Sequence, residues 1–298
     1  MESENPKPNN HLNPRFFYGW YIVGVGFIGD FMAVGMGPIA LGVFLRPMRM
    51  ALGWSFTKIS TAFAIQGILS MLLGPVVGLV LDRFGARPVM AFGAVVAGTG
   101  LILMGFVQHL WQFYVLFAVI GALGLQEAGH MATSVAVSKW FVRKLGRALA
   151  ISSLGVPTGA VVVAPLTGIL IFLLGWRGAW IALGLILLIV LLPPVLLLVR
   201  RSPEDMGLFP DGEDPSSLVG ESGRGNGPIT NSTESDWTLT AALATGTLWI
   251  LILASNLGGL TRSTLNIHLI NYIQDLGQPA SVASFIFSMT YVGSILSR

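Results

Sequence analysis

Apolar runs of about twenty positions, parted by short polar clusters, follow one another from Tyr18 to the last residue. A helix needs roughly 20 apolar residues to cross the hydrocarbon of a bilayer. The runs predict spanning helices over 18–44, 57–81, 86–107, 110–137, 146–174, 177–199, 241–272 and 279–298. The fold class that follows is all-α: a polytopic membrane helix bundle of six helices, then two more. Four regions are expected: a polar, Asn- and Pro-rich disordered tail over 1–17, a six-helix bundle over 18–199, a solvated linker over 200–237, and helices 7 and 8 over 238–298.

Composition sharpens this picture. Of 298 residues, 53% are hydrophobic and 10% charged, and the mean hydropathy is +0.74, outside the range of soluble domains. The tail lacks the apolar core and small-residue cleavage site of a signal peptide. Cysteine is absent, which removes disulfides, thiolate metal sites and cysteine nucleophiles. A net charge of +3 would hint at nucleic acid in a soluble protein. Here the basic residues instead occupy short loops, and nucleic acid is not an expected partner. Arg83, Arg87, Lys139, Arg143, Lys144, Arg147, Arg200 and Arg201 fall in alternate connections, on the side of Lys7 and Arg15; Arg46, Arg49, Lys58 and Arg177 fall on the other. The positive-inside rule then puts the N-terminus in the cytoplasm and the chain in the cell membrane.

The sharpest local pattern is Gly74-Pro75-Val76-Val77-Gly78-Leu79-Val80-Leu81-Asp82-Arg83-Phe84-Gly85-Ala86-Arg87-Pro88, where an apolar run stops at an acid, two arginines and a glycine. Gly74 and Gly78 share a helix face and are expected to admit a close neighbour. Gly85 permits a tight reversal, and Pro88 suits the next first turn. With Gly78, Asp82, Arg83, Gly85 and Arg87 in place, the stretch resembles the loop between helices 2 and 3 of the major facilitator superfamily. The resemblance implies a gating and packing role for these residues at the cytoplasmic face.

Four further stretches resemble bacterial relatives of the monocarboxylate porters and oxalate:formate antiporters. They are Gly19-Trp20-Tyr21-Ile22-Val23, Trp140-Phe141-Val142-Arg143-Lys144-Leu145-Gly146-Arg147, Gly175-Trp176-Arg177, and the segment from Arg200 through Pro203-Glu204-Asp205-Met206-Gly207-Leu208-Phe209-Pro210-Asp211-Gly212. An internal repeat agrees. Leu52-Gly53 matches Leu276-Gly277, and Ser60, Phe63 and Ser70 meet Ser284, Phe287 and Ser294 at the same offset. Parallel six-helix halves are what the resemblance implies. The counterpart of Asp82 falls beyond Arg298, so the chain is expected to be a C-terminally truncated fragment of a twelve-helix protein that does not transport alone.

Several polar residues stand within the spans. Asp30 is mid-span in helix 1, and intramembrane acids are costly enough to be functional candidates by default; the other reading is an acid that fixes helix packing. Glu127 and His130, three apart in helix 4, share a face and can pass a proton or form an internal hydrogen bond. In helix 7, Arg262 and Asn266 fall together, with His268 and Asn271 on another face. A buried guanidinium needs an anionic partner, and Asp30 is the expected one. Arg298 aligns by the repeat with Gly74. In the group resembled, a helix-8 arginine there binds the substrate carboxylate through a planar fork, although the acid those porters place four residues earlier is Ser294 in this chain. The Gly-Pro-x-x-Gly-Gly core of drug antiporters is missing from helix 5, where Gly155, Gly159 and Gly168 suggest close packing instead.

No phosphate-binding loop, His-Glu-x-x-His or Gly-x-Ser-x-Gly elbow is present, so an enzyme is not expected and neither is a cofactor. The expected function is secondary active transport of a mono- or dicarboxylate by alternating access, with protons as the coupling ion and the bilayer as surroundings. The alternatives are a proton-coupled facilitator or exporter of a neutral solute or drug, and a membrane sensor or scaffold on a transporter fold.

Overall fold

The computed structural model describes residues 17–126, 129–212, 244–251, 253–255, 257–258, 269, 272–273, 276–277, 282, 286 and 289. The described residues are overwhelmingly helical. Helix α1 runs Gly19–Leu52, α2 Phe56–Phe84, α3 Ala86–Met104 and α4 Leu110–Trp140. A continuous helical stretch, Leu145–Leu198, is broken at Gly175, whose φ of 70° and ψ of 170° no helix contains. It therefore amounts to α5 over 145–174 and α6 over 176–198. Beyond the linker a short apolar helix, α7, spans Gly246–Ser255.

All of α1 to α4, and the joined α5 and α6, are long and apolar enough to cross a membrane. Their outer faces carry Ile68, Met71, Leu72, Phe172, Leu173 and Ile189 at more than half exposure. Water would oppose that surface and a lipid tail would not. Inside, small residues set the distances. A Cβ at Gly155 or Gly159 would overlap the backbone of Phe27 or Phe31, so α5 lies directly on α1; Gly98 and Gly184 bring α3 and α6 together in the same way. Ring contacts close the remaining gaps: Phe44 stacks on Trp180 at 3.8 Å, and Phe63 meets Phe117 edge-on at 5.1 Å.

Two spans depart from the regular helices that hydropathy predicts. In α1 a π-helical turn occupies Gly35–Ile39, with Gly37 out of helical geometry and Pro38 following it. Pro38 has no N–H to give and its ring crowds the preceding turn, so the ladder widens there. The helix then continues to Leu52, past the expected end at 44, keeping Arg46 and Arg49 exposed as it goes. In α4 a second π turn covers Ile120–Leu125, and Gly129 (φ −110°, ψ −126°) interrupts the helix again.

The stretches that resembled a family build the ends of the bundle. Phe17 and Trp20 meet Phe141 at 5.4 and 5.0 Å, joining the start of α1 to the end of α4. The Tyr18 hydroxyl donates to the Leu198 carbonyl at 2.9 Å. At the opposite end Arg177 lies 4.2 Å over Trp176 and donates to the Val107 carbonyl. The segment after α6 folds back so that Asp211, 7% exposed and at φ 60°, accepts from the backbone N–H groups of Val142 (2.9 Å), Arg143 (2.6 Å) and Lys144 (3.2 Å). Those N–H groups belong to the turn that leads into α5, the last of them on its N-cap residue Lys144. Gly53 and Gly277, matched by the internal repeat, both take positive φ, 67° and 84°.

Candidate functional site

Of the loop between α2 and α3, Gly85 makes the reversal at φ 83° and is buried, and a Cβ on it would touch the Arg201 side chain at 3.4 Å. Arg87 donates to the Leu196 carbonyl near the end of α6. Asp82 and Arg83 are exposed on the last turn of α2, with the Arg83 guanidinium 5.5 Å from the Phe84 ring. The close neighbour expected at Gly74 and Gly78 is not found: among the described residues nothing lies within 4 Å of where a Cβ would sit. Both glycines are half-buried, on the stripe of α2 that also carries the buried Val77 and Leu81. The glycines that do meet a neighbouring helix's backbone include Gly35 on α1, Gly124 and Gly129 on α4, Gly155 and Gly159 on α5, and Gly98 and Gly184 on α3 and α6.

Asp30 is 1% exposed, at mid-height in α1, five residues before the π turn. Its partner comes from α4: His130 Nδ1 lies 3.7 Å from Asp30 Oδ2. Helix α4 can approach this closely because Gly129 packs on Gly29 and Ala33 of α1. The two side chains differ sharply in access, since that of His130 is 75% exposed. The Glu127 partner expected for His130 lies outside the described residues, as do Arg262, His268, Arg298, Asn266 and Asn271.

Around the pair are two cavities. One, of about 490 Å³, is lined by Asp30, His130, Thr133 and Ser134 together with Gly146, Leu149, Ser152 and Ser153 at the start of α5. The other, of about 200 Å³, lies toward the opposite end of α1, among Gly37, Pro38, Gln66, Gln126 and Trp180. His130 lines both. In the larger cavity Ser134 and Ser153 turn their hydroxyls back to helix carbonyls, Met131 and Ala150. Thr133 and Ser152 do not, and both Asp30 oxygens, Thr133 Oγ1 and Ser152 Oγ are buried without a hydrogen-bond partner. Buried polar groups are normally satisfied, so four such atoms in one cavity mark it as chemically unfinished. The residue pattern in α1 and α4 supplied Asp30 and His130 as separate candidates; Thr133 and Ser152 carried no signal beyond their polarity within an apolar span.

The family model of the Major Facilitator Superfamily matches residues 22–298. Curated relatives include monocarboxylate transporter 2 of Mesocricetus auratus, 29% identical over 185 residues, covering 62% of this chain and 38% of the relative. Monocarboxylate transporter 1 of Rattus norvegicus is 28% identical over 184 residues (61% and 36%), and monocarboxylate transporter 3 of Mus musculus 31% over 173 (57% and 34%). The matches span somewhat over a third of the length of these relatives.

Proposed function

Because the chain belongs to the Major Facilitator Superfamily, we propose that it serves secondary active transport of a small organic anion, a mono- or dicarboxylate, by alternating access about a midplane site. The observation that carries this reading is the likeness to several monocarboxylate transporters at 28–31% identity. In this reading the N-terminus is cytoplasmic and the membrane is the cell membrane. Arg298 and Arg262 hold the carboxylate, Arg298 through two parallel hydrogen bonds. Asp30, Glu127 and His130 take up the coupling proton, His268 lines the same pathway, and Asp82, Arg83 and Arg87, with Gly78 and Gly85, belong to the gate between the α2 and α3 ends.

The test is uptake of labelled mono- and dicarboxylates by the intact gene product in proteoliposomes. Arg298→Lys is expected to lower uptake about tenfold or more, the worth of a charge-assisted bidentate contact. Absence of uptake of every carboxylate by folded protein would overturn the reading. One observation favours a second: among the described residues both cavities are walled without lysine or arginine, which suits a neutral solute moved with a proton. Uptake of neutral solutes in the same vesicles decides between them.

A further inference from the structure

Three buried polar side chains from three helices, Asp30 of α1, Thr133 of α4 and Ser152 of α5, reach one cavity with their oxygens unpartnered. Gly26, one turn before Asp30, makes the convergence possible: a Cβ there would sit 2.6 Å from Ser152 Oγ and overlap the Thr133 side chain. A carboxylate with two hydroxyls repels an organic anion and attracts a small cation. The hydroxyls can donate to the ionised carboxylate or accept from the protonated one, so the same three groups satisfy both states.

We propose that Asp30, Thr133 and Ser152 form a proton-binding site separate from the substrate's carboxylate subsite, and that His130 relays the proton between this site and the cavity on its far side. The assignment rests on the transport reading only for its consequence; the proton site itself stands on the geometry. Asp30 is shut off from water, whereas His130 is accessible and lines both cavities. A proton carried on water adds to a nitrogen of the neutral imidazole, leaving water behind. The imidazolium N–H then gives its proton to Asp30 Oδ2, yielding a neutral carboxyl and restoring the neutral ring; release is the reverse. At 3.7 Å the pair is beyond hydrogen-bond length, and a shift of about 1 Å or one bridging water closes it.

From α1 and α4 the described cavity walls present Asp30 and His130; α5 presents only hydroxyl and apolar groups; from α2 and α6 come Gln66 and Trp180. Lys139 and Arg147 stand further out, at the end of α4 and the start of α5. A sodium ion would also find oxygens here, but an imidazole that charges beside it opposes its binding. The described residues contain no cluster of three or more acidic or histidine side chains fit to hold a metal ion.

The test has two arms on the intact gene product. In purified protein, infrared difference spectra between acid and alkaline buffer are expected to show a carboxyl band that Asp30→Asn removes, that His130→Gln shifts in pH midpoint or slows in exchange, and that sodium leaves unchanged. In proteoliposomes under an inward gradient of one pH unit, one-to-one coupling accumulates substrate about tenfold. Asp30→Asn is expected to abolish accumulation, and its melting temperature in detergent, expected to be unchanged, shows that the variant folds. Absence of an Asp30-dependent band, its displacement by sodium, or undiminished proton-driven accumulation in Asp30→Asn overturns the proposal. If no carboxylate is transported but the band is present, the substrate reading fails and the proton site survives.

Discussion

Asp211 and Asp30 are both carboxylates withdrawn from water, at 7% and 1% exposure, yet they are supplied in opposite ways. Asp211 sits at the end of the bundle and accepts from three consecutive backbone N–H groups. Asp30 sits in the middle and accepts no hydrogen bond, with the His130 imidazole nitrogen 3.7 Å from its carboxylate. Backbone donors are fixed in place and cannot follow a change of charge, so a carboxylate bound by them holds structure. A carboxylate facing rotatable hydroxyls and an imidazole can gain or lose a proton without stranding any backbone group. On the proposal above, the same amino acid is a fastener where the donors are rigid and a proton site where they are not.

The comparison breaks first at Asp211. Asp211→Ala removes a charged acceptor and strands three donors in a part-buried loop, and is expected to cost about 3 kcal/mol. Thermal unfolding in detergent is the measurement, together with the rate of protease cleavage within the segment from Pro203 to Gly212. Melting and cleavage indistinguishable from the unsubstituted protein would mean that water replaces the carboxylate freely and that the fastening reading is wrong.

A second contrast lies between glycines. Gly155 presses on the Phe27 backbone, whereas among the described residues nothing stands where a side chain on Gly78 would go. Gly155→Val is expected to destabilise by about 1–3 kcal/mol, because helix backbone cannot move aside as a side chain can. Gly78→Val in the same assay is expected to stay within about 0.5 kcal/mol, allowing for valine's helix propensity. A reversed order would show that the α2 face is covered and the α1–α5 contact yields.

How much of this was readable from the chain differs between the two regions. The spans were legible because membrane thickness demands long apolar runs, and the loop from Asp82 to Arg87 because charges and glycine must gather where a helix leaves lipid and turns. Pro38 with Gly35 and Gly37 stood in plain view, but hydropathy averages over a break that keeps its residues apolar. The Asp30–His130 pair could not be read, since sequence spacing relates residues on one helix and this contact joins two. It instead suggested Glu127 for His130 and Arg262 for Asp30, both outside the described residues. Asp211 was hidden for a different reason: in a Gly- and Pro-rich segment an acid looks like a solvated linker residue until the chain is seen to fold back.

The smallest expected effect separates the two carboxylates most cleanly. Asp30→Asn keeps the shape of the side chain, removes a buried charge and deprives no hydrogen-bond donor of its acceptor. Replacing buried charge by a neutral isostere is often neutral or stabilising, because desolvation of the ion opposes folding. The melting temperature of Asp30→Asn is therefore expected to match or exceed that of the unsubstituted protein, a change within about 1 kcal/mol, while the proton-dependent signals disappear. Asp211→Asn retains one acceptor oxygen and should fall between, losing about 1–2 kcal/mol and leaving proton dependence intact. If Asp30→Asn instead unfolded as readily as Asp211→Ala, then Asp30 would be anchoring α1 to α4 through its ion pair with His130. The two acids would then differ in position but not in kind.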